Sequence, residues 1–177
     1  DPGDAAVTFE DFRDVDKSVL LEVRHGAGHY TVLPPSQIPR KDTPDVVDPL
    51  AWLSATTPPR RTTGAEIHRV ARVLATIALV VRHWRGGNRH NGLLALAGFL
   101  ARDPSLTVDV VIATLSEITR QAEGEPWSEC ATTVRDTFTK LRGSHAATGG
   151  RALEEWITPP VVRILRKWWF GDRDQRS

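Results

Sequence analysis

Three arginines and two histidines crowd one corner of the sequence. Arg82, Arg85 and Arg89 stand with His83 and His90 inside RHWRGGNRHNGLLALAGFLAR. Guanidinium groups match phosphate oxygens two bonds at a time. Gly86 and Gly87 let backbone come close to a ligand. The stretch that follows is apolar at helical spacing. Residues 88–91 therefore stand at a helix start, where free amides and the positive dipole end favour an anion. His90 and Asn91 add hydrogen-bonding and stacking groups. Such a corner can grip a phosphate backbone or a nucleoside triphosphate. The same residues also read as a plain turn with solubilising arginines. The corner itself carries no acid to neutralise it.

Other chemistries find less support. Asp14 and Asp16 form a D-x-D pair, and paired carboxylates on a strand can hold Mg²⁺ for phosphoryl transfer. They lie in a polar acidic stretch that reads as solvated surface. Glu22 sits in a candidate strand. The six histidines show no H-E-x-x-H or comparable zinc spacing, and no G-x-x-x-x-G-K-[ST] or G-x-S-x-G motif is present. Ser36 has no base assigned to it, so no catalytic residue is expected in this chain. A single cysteine, Cys130, excludes an intrachain disulfide and a Cys-based metal site, and a reducing cytoplasm is the natural setting. No apolar run approaches the roughly 18 residues of a membrane span, so no membrane partner is expected. A chain that begins at Asp1 and contains no methionine is expected to be a fragment or a trimmed product.

The elements that must position the corner are mostly helices. Residues 7–17 are acidic and read as a short helix. SVLLEVR and HYTVL, with HGAG between them, read as a β-hairpin. PPSQIPRKDTPDVVDP holds five prolines, which fix φ and remove amide donors, and is expected to form no regular element. ATTPPRR reads as a linker. Thr63-Gly64-Ala65-Glu66 then fits a capping box, and Ile67, Val70, Ala71, Leu74, Ile77, Ala78, Val81 and Trp84 recur at helical spacing. Gly86-Gly87 is expected to end that helix. Leu93, Leu96, Ala97 and Leu100 mark a second, stopped by Asp103-Pro104. Gly98 inside it costs about 1 kcal/mol against Ala, which points to close contact with a neighbouring helix. Thr107 caps a third, with Val108, Val111, Ile112, Leu115, Ile118 and Ala122 on one face. Ser128 starts a fourth, with Val134, Phe138 and Leu141 inward and Gly143 closing it. GGRALEEWI is a short helix, and PPVVRILRKWWF a last one with proline in its first turn.

The sum is a mainly α chain: a bundle of five to six short helices with a small β-hairpin or extended segment on the N-terminal side. Charge divides along it. Residues 1–59 carry 5 basic and 10 acidic side chains, while residues 60–102 carry 8 basic and 1 acidic, Glu66. Such segregation is the footprint of a localised anion-binding face. It also permits the acidic segment to pack over the basic corner and mask it.

GHYTVLPPS resembles the last strand and Pro-Pro-Ser turn of archaeo-eukaryotic-type primase-polymerase domains, found in plasmid, phage and mobile-element replication proteins. That family runs acid-x-Arg, a Gly-rich turn, a strand, Pro-Pro-Ser and a later aromatic. Here these are Glu22-Val23-Arg24, residues 25–28, residues 30–33, Pro34-Pro35-Ser36 and Trp52. WRGGNRHNGLLALAGFLAR resembles the start of the helical domain that follows such cores. VRDTFTKLRGSHAATGGRALEEWI is similar to its closing part, with a Thr-containing helix, a Lys, a Gly-x-x-x-x-x-G loop and L-x-E. The likeness covers residues 18–157.

The resemblance implies residues 1–59 as a remnant of the polymerase core, residues 60–170 as the helical accessory domain and residues 171–177 as a tail. It puts Glu22 in the place of the third acidic metal ligand. It matches Gly87, Arg89, His90 and Asn91 to the turn of the helical domain, which in the family is associated with single-stranded template and the initiating nucleotide. Arg82 and Arg85 would join them on phosphates. Lys140 and Arg142 either line the same groove or complement a helix dipole. Trp168 and Trp169 either stack bases or fill the core.

The family's first acidic pair and its Ser-x-His nucleotide motif have no counterpart, and would lie before Asp1. The chain is therefore expected not to polymerise alone. Mg²⁺ or Mn²⁺ would act with the complete core, and ATP or another NTP would be the initiating nucleotide. The implied partners are a single-stranded DNA template, that nucleotide, the N-terminal core and a helicase domain. Two other classes stay open. One is a duplex-binding helix–turn–helix replication or regulatory protein. The other is a helical adaptor docking a helicase, with an apolar patch around RKWWF.

Overall fold

The computed structural model describes residues 9–24, 37–43, 45–49, 61–84, 89–125, 127–143 and 150–171. Six helices carry the fold: α1 (Gly64–His83), α2 (Arg89–Leu100), α3 (Val108–Glu123), α4 (Cys130–Arg142), α5 (Gly150–Leu153) and α6 (Pro159–Phe170). Two small antiparallel hairpins precede them: β1 (Phe9–Arg13) with β2 (Val19–Arg24), and β3 (Gln37–Pro39) with β4 (Val47–Pro49). The expected class, a helix bundle with a small β portion on the N-terminal side, is the one observed.

Helix boundaries follow their chemical signals. The Thr63 hydroxyl accepts from the Glu66 amide at 3.2 Å, and the Glu66 carboxylate accepts from the Thr63 amide at 3.2 Å, closing the expected capping box. Thr107 caps α3, and Gly124 ends it in the left-handed region at φ 81°. Pro159 and Pro160 occupy the first turn of α6. One start differs: α4 begins at Cys130 with Glu129 as its cap residue, and Ser128 stays outside.

The helix after the basic corner is more deeply placed than its pattern suggests. Leu93, Leu96, Ala97 and Leu100 are buried as expected, but so are Ala95 and Phe99. Thus α2 is covered on every side and forms the middle of the bundle. Around it pack Val111, Leu115 and Ile118 of α3, Val134 of α4, Leu153 of α5, and Val161, Val162 and Leu165 of α6. Gly98 is buried within α2, and the Arg102 guanidinium bonds its carbonyl. The close approach is made at Gly92, where a Cβ would lie 2.9 Å from Trp84 and 3.1 Å from Trp156.

The β portion corrects two expectations. Residues 9–13 are a strand, not part of a helix. Phe12 faces the core opposite Leu21 while Asp11 lies opposite Glu22, so the acidic composition hid a period of two. The partner of β2 is therefore β1; residues 29–33, the expected second arm, lie outside the described residues. The Pro-rich stretch also forms a ladder, Gln37↔Pro49 to Pro39↔Val47. Its prolines Pro39 and Pro49 stand at strand ends, where a missing amide costs least. Arg40 spans that hairpin, donating from Nε and Nη2 to the Asp48 carboxylate.

Phe12 and Val23 of the first hairpin pack on Ala71 and Ala75 of α1, with Leu21 and Trp168 at the margin. The Phe12 and Trp168 rings meet edge to face at 5.2 Å.

Candidate functional site

The docked hairpin brings an acid to the basic corner. Residues 14–18 make its tip: the Lys17 amide bonds the Asp14 carbonyl at 3.0 Å, and the Asp14 amide bonds the Ser18 carbonyl at 2.9 Å. Lys17 takes the left-handed position at φ 67°, completing a three-residue loop of the turn-plus-bulge type. Asp16 accepts from the Ser18 amide at 2.9 Å and braces the tip. This geometry seats Asp14 against the last turn of α1.

Both Asp14 oxygens are then occupied. Oδ2 accepts from Arg82 Nη1 at 2.8 Å; Oδ1 accepts from His83 Nε2 at 2.6 Å and from the Val15 amide at 2.6 Å. An ionised carboxylate only accepts, so His83 carries its proton on Nε2. The Asp14 side chain is 2% exposed and that of Arg82 is 53% exposed. Arg82 Nη1 also bonds the Ser18 hydroxyl at 3.2 Å. Burial alone would raise the Asp14 pKa, but the bonds from Arg82, His83 and the Val15 amide outweigh it and hold the group below its ordinary value. Reciprocally, the Asp14 bond raises Arg82. An open cleft of about 560 Å³ is lined by Asp14, Val15, Asp16, Ser18, Arg82 and His83.

This arrangement does not suit a metal. Asp14 already accepts from Arg82, His83 and the Val15 amide, and Asp16 accepts from the Ser18 amide. Glu22 is exposed in the middle of β2, opposite Asp11 and away from this cleft. Among the described residues no group of three or more His, Cys, Asp or Glu side chains could hold a metal ion.

The other expected residues distribute as follows. Arg85 and Gly87 lie outside the described residues, as does the Gly86-Gly87 helix stop. Arg89 is the first residue of α2. His90 and Asn91 follow it and are exposed. The His90 ring meets Trp127 edge to face at 5.5 Å, and its Nδ1 is 3.7 Å from Glu129. Trp84 closes α1 beside them, its indole donating to Glu123 at 3.1 Å while its ring touches Gly92. Lys140 and Arg142 belong elsewhere. The starts of α2 and α4 meet at His90 and Glu129. Their ends meet at a second cleft, lined by Arg102, Asp103, Phe138, Leu141 and Arg142 among others. The two helices run in the same direction, so the 12 residues of α2 separate Arg142 from His90 by about 18 Å. The helix-dipole reading of Lys140 and Arg142 fits that placement: both occupy the last turn of α4.

Trp169 is core. It is 5% exposed, its indole donates to Thr76 at 3.0 Å, and Arg72 covers its ring at 5.5 Å. Trp168 is engaged by Phe12. The exposed apolar row lies on α1 instead, at Ile67, Val70 and Leu74.

Sequence reasoning missed the pairing of Asp14 and Ser18 with Arg82 and His83. The available signals were opposite net charges in neighbouring segments and a D-x-D-K-S tip between alternating apolar residues. In comparisons with family models, curated proteins and solved structures, nothing matches the chain.

Proposed function

We propose that this chain is the helical accessory part of a DNA primase-polymerase of the plasmid, phage or mobile-element kind. In this reading it grips single-stranded template and the initiating nucleotide, ATP or another NTP, at the junction of α1 and α2. One observation carries it. Of the motif residues from Trp84 to Arg102, packing accounts for the apolar ones: Leu93, Leu96, Ala97 and Leu100 are all in the core. His90 and Asn91 instead stand exposed at the start of α2, beside the end of α1 through Trp84 and Gly92. His90 meets Trp127 edge to face and stands 3.7 Å from Glu129, and polar groups left exposed at a helix start are open to a ligand.

Chemistry on the nucleotide is assigned to a separate core that holds Mg²⁺ or Mn²⁺. No step of phosphoryl transfer is placed on the described residues, among which no group of three or more His, Cys, Asp or Glu side chains could hold a metal ion. The N-terminal core and a helicase domain are the implied protein partners.

The duplex-reading alternative meets a physical obstacle. A recognition helix lays an exposed face along the major groove. No residue of α2 from Gly92 to Leu100 is exposed, and only the first turn of the helix is open. The adaptor alternative has one observation in its favour, the exposed Ile67, Val70 and Leu74 on α1. No described helix is long and apolar enough to cross a membrane.

Anisotropy of a labelled single strand, set against the same sequence as a duplex and with or without ATP, separates these readings. Preference for the single strand, enhanced by ATP, is expected. Equal or tighter duplex binding, or no binding of either form at low salt, would overturn the proposal.

A further inference from the structure

The tip of the first hairpin presents a carboxylate to the end of α1 as a nucleic-acid phosphate would. Asp14 takes one bond from Arg82 at 2.8 Å and one from His83 at 2.6 Å, on separate oxygens. The hairpin does not depend on this contact for its place, because Phe12 and Val23 dock it independently on Ala71 and Ala75. What the contact does is withdraw two donors from the corner that the rest of the basic segment builds.

We propose that the hairpin tip is an autoinhibitory contact, in which Asp14 occupies Arg82 and His83 in place of a backbone phosphate of a single strand, and a bound strand competes with it. This rests on reading the α1–α2 corner as a nucleic-acid interface. Access supports it: Arg82 remains 53% exposed and lines an open cleft of about 560 Å³, so a phosphate can reach the guanidinium without unfolding the hairpin. Ser18, whose hydroxyl is 3.2 Å from Arg82 Nη1, lines the same approach. Asp16 lies two residues further on, carries the same charge and bonds Ser18 instead.

That neighbour supplies the control. Asp14→Asn and Asp16→Asn each remove one negative charge, but only the first releases Arg82. Salt-series anisotropy with labelled oligo(dT) is measured for the wild-type chain and both variants, with thermal melts to verify folding. Asp14→Asn is expected to bind about three- to tenfold tighter, with a salt slope steeper by about 0.7, the increment of one phosphate on a single strand. Asp16→Asn is expected to stay near wild type. If all three bind and Asp14→Asn gains no more than Asp16→Asn, the inhibitory contact is overturned while the interface reading stands. If none binds, the interface reading falls and takes this proposal with it. Should Asp14→Asn fail to fold, Arg82→Gln decides. An engaged Arg82 contributes less than Arg85, so Arg82→Gln should weaken binding less than Arg85→Ala; the reverse order overturns the proposal.

Discussion

Asp14 is the residue on which the site turns, and its environment makes a pH prediction with a definite sign. Its carboxyl is held below its ordinary value of 3.8 by Arg82, His83 and the Val15 amide against the cost of burial. A depressed folded pKa contributes stability that is present above the unfolded value and lost as pH falls through the folded one. Urea unfolding of the wild-type chain should therefore lose stability below pH 3.8 in a way that Asp14→Asn does not. Glu117 is also lowered, to about 2, by Arg120 and then Gln121. It is a surface group common to both proteins and cancels in the difference. Identical acid profiles for the two chains would show that Asp14 is not held by these partners. At this scale the gathering of arginines and histidines was legible, because it is a feature of the sequence itself. The acid that meets them was not legible. It lies 68 residues before Arg82 and 69 before His83, and only the docking of the hairpin brings it there.

Helices were legible element by element where a local signal fixed an end. The Thr63–Glu66 box, the Thr107 cap and the prolines opening α6 each act within a few residues, and each stands where the pattern put it. Residues 9–13 were not, since acidic side chains on one face of a strand say nothing about the apolar partner that pairs with the other. Glycine was legible as a sign of close packing but not as to which glycine. Gly98 drew attention inside the apolar run, yet the tight contact belongs to Gly92. Gly92→Ala tests it. The exchange gains about 1 kcal/mol of helix propensity, but the new methyl meets the Trp84 and Trp156 rings, and overpacking costs about 1–3 kcal/mol. A net loss of about 1 kcal/mol in chemical denaturation is expected, with a change in tryptophan emission. A gain in stability would show that the two rings yield freely and that the contact at Gly92 is not a tight one.

Across the whole molecule, one covered helix organises the rest. Because α2 is buried along its length, its two ends are the parts that meet solvent, with His90 near one end and Arg142 near the other. Only the packing of α2 beside α4 decides that, so no reading of either helix alone could. The hairpin belongs to the same body through Phe12. Removing that ring should cost about 3 kcal/mol or more and shift Trp168 emission to the red. A Phe12→Ala loss below about 1 kcal/mol with unchanged emission would mean that the hairpin is not docked. The central claim is that the α1–α2 corner holds the phosphates of a single strand. The most direct test is the affinity of the chain for a labelled single-stranded oligonucleotide, with ATP present, as a function of salt, beside Arg85→Ala/Arg89→Ala. The account predicts a steep fall of affinity with salt, and a double-variant slope shallower by about 1.4, the increment of two phosphates. Two indistinguishable slopes, or no binding at the lowest salt, would contradict it.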